Sequence, residues 1–565
     1  MLPGHRMSVA CLTNIRRFLL SSAIFTLIAG VEVAHAQTPP LRESALDSSS
    51  PAAGPSPAGR PSSTQGSSTS LANGTLPTGP EFQLNASVIF SESYVSNATG
   101  IPGQSQADYL SSPGFSAGLH EHSARLTLDA NYNFLANFYA NGTLPTQIMN
   151  NLQTVGKLDV IPEYLDIDLR AFAQPVVTSN VGAVSAGDTV IPGSYRNSYG
   201  YFETPDLKFN WGDFASFKTM PSVGQAFFTT PPGTSTVNTV PEIAGPENTT
   251  IRSVTEEVSS GTDFEVLKWK LVGLFSETDR EQSLLSEKSG IANMDYALSH
   301  EWSLLATGGY DSLLDTIPLT HNVSGPVALA GVGLTFGNEF SFQGEGGVKY
   351  NSLSFNGNLR YELNPTGLLT GSANDYVQTP EGQLLNNLTS LTALPDGTLT
   401  SDDDVLENGT ASSLAGFNIQ SPDNPSLDQF ISRYQTVALS LLEELERTKA
   451  SVSLFATRRT MLTAGFTGPP TVYSWGSTIM ASRNVSPLLA ATLGVTYTEN
   501  QELGGHASTI MAQGQLAYSL SRATQIFLRS NYIDRLSSTS LVAASPLAGS
   551  VSDYRVTLGI SHALQ

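Results

Sequence analysis

A chain of 565 residues with 49 Asp and Glu against 28 Lys and Arg carries a net charge of −21. That balance argues against nucleic acid as a partner and against docking on anionic lipid through a basic patch. Hydrophobic residues make up 40% of the chain and charged ones only 14%, a composition that suits apolar residues spread one in two through polar ones rather than gathered in blocks.

The first segment reads as a secretory leader over residues 1–36. Arg6, Arg16 and Arg17 form a basic start, residues 18–30 form an apolar stretch, and Ala34-His35-Ala36 offers small residues for cleavage before Gln37. The apolar stretch falls short of the about 20 residues that a membrane-spanning helix needs. Cys11, the single cysteine, precedes that stretch, which is the wrong order for lipoprotein processing and leaves a mature chain without thiol chemistry. Three arginines and one glutamate leave with the leader, so the net charge falls from −21 to −23. If the chain encloses water, a preference for cations is expected. Residues 37–80 are rich in Pro, Ser, Ala, Gly and Thr and are expected to be a disordered linker, with a span of roughly 35–40 Å as a flexible coil. It serves as a spacer or as a tether to periplasmic export components.

From Phe82 the pattern changes to a period of two. Phe82, Leu84, Ala86, Val88 and Phe90 alternate with Gln83, Asn85, Ser87 and Ser91, Ile89 being the exception. Ala124, Leu126, Leu128, Ala130, Tyr132 and Phe134 alternate with Arg125, Thr127, Asp129, Asn131 and Asn133, and Leu165, Ile167, Leu169 and Ala171 with Asp166, Asp168 and Arg170. Near the end Tyr554, Val556, Leu558 and Ile560 alternate with Arg555, Thr557, Gly559 and Ser561. Successive strand side chains point to opposite faces, so each segment has one apolar and one polar face. Several runs approach the about ten residues that a tilted strand needs to cross hydrocarbon. The fold class expected over 81–565 is therefore all-β: a transmembrane antiparallel β-barrel of about 16 strands, within 14–18. Tyr94, Tyr139, Tyr201, Trp211, Trp302, Tyr350, Tyr361, Tyr497 and Tyr532 fall near segment ends and suit interfacial girdles.

Two stretches break the rhythm. Residues 229–260 read as a Pro/Thr/Glu-rich loop. Residues 364–446 read as a long acidic insertion that includes Asp402-Asp403-Asp404 and leads into a helix-like run, Leu427–Arg447, with Phe430, Tyr434, Val437, Leu441 and Leu445 at spacings of three and four. Long loops in compact proteins are commonly functional, and this one is expected to be a plug or a lid.

Catalytic chemistry finds little purchase. His120-Glu121-His122 is the one histidine cluster of the mature chain, and with Gly118 and Arg125 around it the segment reads as an exposed turn; two ligands would make a weak metal site. Ser299, His300 and Glu301 are adjacent, and neighbours on a strand point to opposite faces, so they cannot converge. No phosphate loop or dinucleotide glycine pattern occurs. The chain is expected not to be an enzyme and to need no cofactor or metal. The candidate functional residues are charges at polar strand positions, expected to line a lumen: Arg125, Asp129, Asp166, Asp168, Arg170, Lys208, Lys268, Lys270 and Arg360. Such charges either set a transverse field in a pore or brace the barrel wall.

Ser91-Glu92-Ser93-Tyr94 with Asn97, Pro113-Gly114-Phe115, Ser299 through Tyr310 (SHEWSLLATGGY) and residues 482–487 (SRNVSP) resemble the porin-like outer-membrane β-barrel family found beside exopolysaccharide genes, including those of PEP-CTERM sorting systems. The resemblance covers residues 82–565 and implies a barrel in the cell outer membrane, with a role in exporting or handling extracellular polysaccharide and with no catalytic residues. A conduit for exopolysaccharide or small solutes is the first functional expectation. A closed structural or binding barrel that organises surface polysaccharide is the alternative, and a barrel hydrolase is a distant third.

Overall fold

The computed structural model describes residues 81–100, 105–177, 195–229, 248–281, 283–316, 323–379, 391–393, 399–401, 431–462, 471–502, 505–539 and 550–564. The expected leader and linker lie outside the described residues, as do Asp402-Asp403-Asp404 and Phe430.

The strands, in chain order, are β1 (Glu81–Val95), β2 (Asp108–His122), β3 (Leu126–Tyr139), β4 (Gln147–Ile161), β5 (Leu165–Val177), β6 (Tyr195–Trp211), β7 (Ala215–Thr229), β8 (Thr249–Ser260), β9 (Leu267–Arg280), β10 (Leu284–Ala297), β11 (Trp302–Asp315) and β12 (Ser324–Phe336). There follow β13 (Phe340–Lys349), β14 (Ser352–Asn364), β15 (Gly367–Gln378), β16 (Leu391–Ala393), β17 (Leu399–Ser401), β18 (Ser432–Leu445), β19 (Thr448–Met461), β20 (Thr471–Ser486), β21 (Leu489–Glu502), β22 (Gly505–Ser519), β23 (Thr524–Thr539) and β24 (Val551–Leu564). All but β16 and β17 form one 22-stranded sheet. Each strand pairs antiparallel with its neighbour in the chain, β15 with β18 included, and β1 pairs with β24 from Ala86↔Leu564 to Val95↔Arg555. The sheet is a closed barrel, and closure leaves it no free edge.

The expected count of about 16 strands is corrected to 22. Three of the unforeseen strands fall in the two stretches read as loops. Residues 249–260 are β8, residues 367–378 are β15, and the helix-like run contains β18. Among the described residues there is no helix. In β18 the run Val437, Leu439, Leu441 has period two as well as helical spacings, and those side chains are exposed on the outer face. A surrounding sheet that offers hydrogen bonds to both sides of the segment decides in favour of the strand.

The connections are unequal at the two ends. At one end every link is tight: 123–125, 162–164, 212–214, 261–266, 298–301, 337–339, 365–366, 446–447, 487–488 and 520–523. At the other, the links include 178–194, 230–248 and 379–431. We call these the turn end and the loop end. Glu81 and Leu564 are both at the turn end, as an even strand number requires.

A 14-residue strand is about 46 Å long, or about 35 Å along the axis of a barrel tilted by about 40°, which exceeds the apolar band of about 25 Å of such barrels. The outer face carries that band. Phe82, Leu84, Val88 and Phe90 on β1, Leu207 and Phe209 on β6, and Tyr554, Val556, Leu558 and Ile560 on β24 are all exposed. A contiguous apolar surface on this scale is far larger than a soluble monomer shows. Aromatic rings border it. At the turn end Trp211, Phe214, Phe264 and Trp269 form a chain with centroid separations of 5.6, 5.3 and 5.7 Å. At the loop end Tyr94 meets Tyr109 at 5.5 Å and Tyr554 at 5.7 Å. Tyr139 and Tyr350 do not join the girdles expected of them. Both are buried, with Tyr139 Oη donating to Gln147 Oε1 at 3.2 Å and Tyr350 Oη to Asp311 Oδ2.

Two local features shape the wall. Across β11–β13 inward glycines mark close approaches of neighbouring backbones: a Cβ on Gly309, Gly331 or Gly347 would lie 2.2, 1.9 or 2.1 Å from a carbonyl oxygen of the neighbouring strand. Glycine is needed there because the backbones approach too closely for any side chain. Between β14 and β15 the ladder runs only from Gly357↔Ala373 to Asn364↔Gly367, and it is broken by a bulge near Glu362. Beyond it towards the loop end, Arg433 of β18 spans the split. Its guanidinium binds Asp375 on β15 and Ser352 on β14, and donates to Leu353 O at 3.1 Å. Packed clusters lie at the loop end, the largest among the described residues comprising Leu285, Leu313, Val323, Tyr350, Val377, Ile431 and Leu462.

Candidate functional site: the lumen

Alternation that puts apolar residues outside puts polar ones inside, and the inner wall is where most of the expected charges lie. Asp129, Asp166, Asp168, Arg170, Lys208, Lys268, Lys270 and Arg360 occupy inward positions of β3, β5, β6, β9 and β14. Arg125 is placed elsewhere: it is exposed in the turn between β2 and β3.

Three of these charges, Asp166, Lys208 and Lys270, belong to one arrangement that register creates. Asp166 on β5 receives Lys157 from β4 at 3.2 Å and Lys208 from β6 at 2.5 Å. Lys208 also meets Asp206 at 3.3 Å, Asp206 takes Lys218 of β7 at 3.1 Å, and Lys218 stands opposite Glu257 of β8. Glu257 then pairs with Lys270 of β9 at 2.9 Å. Beside the chain of contacts, Arg170 clasps Asp168 two residues away on the same face, at 2.7 and 2.9 Å. The charges therefore alternate in sign along the wall from β4 to β9, strand to neighbouring strand. With Lys157 54% and Lys208 36% exposed, each contact contributes about 0.2–1 kcal/mol. Arg360 pairs with Glu362 at 2.7 Å away from this ladder, and Lys268 faces Asp295 in register. Sequence reasoning missed Lys157, Asp206, Lys218 and Glu257, which register alone brings to the others.

Asp129 is almost fully buried and binds His120 Nδ1. His120 stacks on His122, with centroids 6.5 Å apart and planes within 9°. These two histidines end β2 on its inner face, so the exposed turn expected at 120–122 begins only at Ser123. Among the described residues no three His, Cys, Asp or Glu gather where they could hold a metal ion. Ser299 Oγ accepts from the backbone of Glu301 and Trp302, at 3.1 Å each, as a turn cap.

From β19 round to β1 the inner wall combines hydroxyls and amides with arginines. Thr478 bonds Thr496 at 3.2 Å, Ser93 bonds Thr557 at 2.9 Å, and Arg529 donates to Gln515 at 3.0 Å. Such a lining presents many donors and acceptors, and among the described residues Arg459, Arg529, Arg535 and Arg555 against the one carboxylate Asp553 make this arc net positive.

The lumen differs between its ends. Towards the loop end, inner-wall residues Ser112, Asn137, Ser198, Ser253 and Ser432 are all 0% exposed, which side chains bordering a wide water-filled channel cannot be. At the same end hairpin β16–β17 leaves the wall between β15 and β18 and lies against β3 and β4. β19–β24 with β1 and β2 separate the two places on one side, and β5–β14 on the other, so the hairpin reaches almost the opposite wall. Towards the turn end Lys157, Lys208 and Lys218 of the ladder are open to solvent. Around that mouth Glu163, Asp213, Asp263, Glu265, Glu301 and Glu339 are exposed on successive turns, and Arg125, Arg447 and Arg522 on the remaining arc.

No family model matches the chain and no curated protein matches its sequence. Solved structures do match in shape. The siderophore receptor PirA of Pseudomonas aeruginosa aligns over 87% of this chain and 81% of its own, at 11% identity and a TM-score of 0.41. OmpT, an outer membrane protein of Vibrio cholerae, aligns over 86% and 98%, at 8% identity and a TM-score of 0.30. OccAB1 of Acinetobacter baumannii aligns over 85% and 97%, at 12% identity and a TM-score of 0.32.

Proposed function

We propose that the chain is an outer-membrane conduit of the porin-like kind, open at the turn end and closed at the loop end where hairpin β16–β17 crosses the lumen. The observation that carries this reading is the two-faced closed sheet: an exposed apolar band bordered by aromatic rings outside, and ion pairs, hydroxyls and amides inside. In hydrocarbon every backbone group must pair within the sheet, which a closed barrel alone among sheets achieves. Tight turns face the periplasm in such barrels and long loops face outward, so the acidic turns border the periplasmic mouth and favour cations there.

The solute is hydrophilic and rich in hydroxyl groups, matched by the hydroxyls, amides and arginines of the wall from β19 to β1. The family resemblance makes exopolysaccharide the first solute to test, with small polar solutes next and periplasmic export components as partners. A 22-stranded barrel is wide enough to need a plug, and the burial of the loop-end wall supports a second reading, a closed barrel that binds or organises surface polysaccharide. Both are non-enzymatic.

Single-channel recording in a planar bilayer tests this, using the intact protein and a variant lacking residues 380–430, a deletion that spares β15 and β18. Little or no current from the intact protein and steady, cation-preferring current from the deletion is the expected result. Silence from both, with folding verified, would leave the closed binding barrel in its place.

A further inference from the structure

We infer that the outer face of β20–β23 holds one membrane phospholipid, its phosphate on Arg483 and an acyl chain in the depression beside it. The proposal rests on the membrane reading above. Outward positions of these strands near the turn end are unusually small. Ala481, Ala491 and Gly514 line a depression of about 470 Å³, walled by Leu493, Leu516 and Leu528, a volume within the range of small-molecule sites. The walls are almost wholly apolar and stand out from the surface, since Leu493 is 60% exposed. The depression thus matches a single chain that keeps its place while surrounding lipid exchanges.

Arg483 lines the same depression and is exposed on the same outer face. An outward cation within the apolar band is unfavourable unless it lies near the interface and finds an anion. Val485 and Leu488, just beyond Arg483, are exposed at the edge of the band, which places the guanidinium at headgroup depth, where a long side chain reaches outward. Among the described residues no carboxylate pairs with it. A phosphodiester is the anion present at that depth, and the fork of a guanidinium binds two of its oxygens at once. Because the turn end faces the periplasm in this reading, the source is phospholipid of the inner leaflet.

The chemistry separates into two variants. Arg483→Gln removes the charge and keeps the depression. Gly514→Leu fills the depression and keeps the charge, and it is compatible with the fold because a Cβ at Gly514 would meet nothing nearer than Leu493 Cδ1 at 4.0 Å. The mature protein is inserted into nanodiscs of phosphatidylethanolamine and phosphatidylglycerol, released, and weighed by native mass spectrometry. Wild type is expected to retain one phospholipid, and each variant to lose at least tenfold in occupancy. Wild-type occupancy in either variant overturns the proposal. Retention of added lipopolysaccharide in place of phospholipid would assign the site to the other leaflet and overturn it as well. Failure to insert at all would remove the membrane reading together with the site, whereas insertion without a retained lipid removes the site alone.

Discussion

Replacing Gly331 by alanine tests the close approach of backbones across β11–β13. The added Cβ would lie 1.9 Å from the carbonyl oxygen of Gly344 and 2.7 Å from Cα of Glu345, where ordinary contact begins at 3.4 Å. Both obstacles are backbone, so no side chain can swing aside; β12 and β13 would have to part where Gly331↔Glu345 and Val332↔Gly344 are in register. Overpacking of this kind costs about 1–3 kcal/mol, and each weakened ladder hydrogen bond adds about 0.5–1.5 kcal/mol. A loss of about 3 kcal/mol is expected. Gly346, on the same hairpin and facing outward, has nothing within 4 Å of the corresponding position; its replacement by alanine should gain about 0.5–1 kcal/mol by restricting the unfolded chain. Urea titrations of both variants folded into lipid vesicles, followed by tryptophan fluorescence, give the two values from the linear dependence on denaturant. If the variants agree within about 0.5 kcal/mol, the close approach does not exist in the folded protein.

Other expectations follow from the ion pairs. Asp375→Asn strands the Arg433 guanidinium in a site where the carboxylate is 0% and the arginine 12% exposed, and the same titration should register a loss of about 3–5 kcal/mol, most of it recovered in the double replacement of Asp375 and Arg433 by leucine. In the channel opened by deleting 380–430, Lys208→Gln uncovers Asp166 and Asp206, so the reversal potential in a potassium chloride gradient should move towards the potassium limit. Lys288→Gln is the control. Lys288 sits outside the barrel, 5.5 Å from the centre of the Phe275 ring, and its loss should leave selectivity unchanged.

The architecture was legible where one strand face meets lipid and the other meets water. β1, β3, β5 and β24 announce themselves because Leu126 to Phe134, Leu165 to Leu169 and Tyr554 to Ile560 keep the alternation, and Phe82 to Phe90 breaks it only at Ile89. It failed where the two faces carry similar chemistry. β8 presents Thr250, Arg252 and Glu256 outward and Ile251, Ser253 and Thr255 inward, a sequence with no apolar side to count. β15 is as ambiguous, with Gly371, Ser372, Ala373 and Asn374 at its middle. β18 erred the other way, since its apolar run satisfies two periods. Single charges such as Asp166, Lys208 and Lys270 could be found from their polar positions. Their partners could not, because pairing Lys157 or Lys218 with them needs the register of neighbouring hairpins. Tyr139 and Tyr350 lie near strand ends like the girdle residues, and only the direction of the side chain separates them.

A closed hoop shares radial load round its whole circumference, and it parts where cross-links are fewest. In this barrel that place is not the seam where β1 meets β24, paired over ten residues, but β14–β15, paired over seven. The split there adjoins the connection that carries hairpin β16–β17, and Arg433 and Gln435 of β18, which both bind Leu353 O of β14 and Asp375 of β15, fasten it. Swelling of the lumen would therefore be relieved at this one line, while the ladder-braced arc from β4 to β9 keeps its shape.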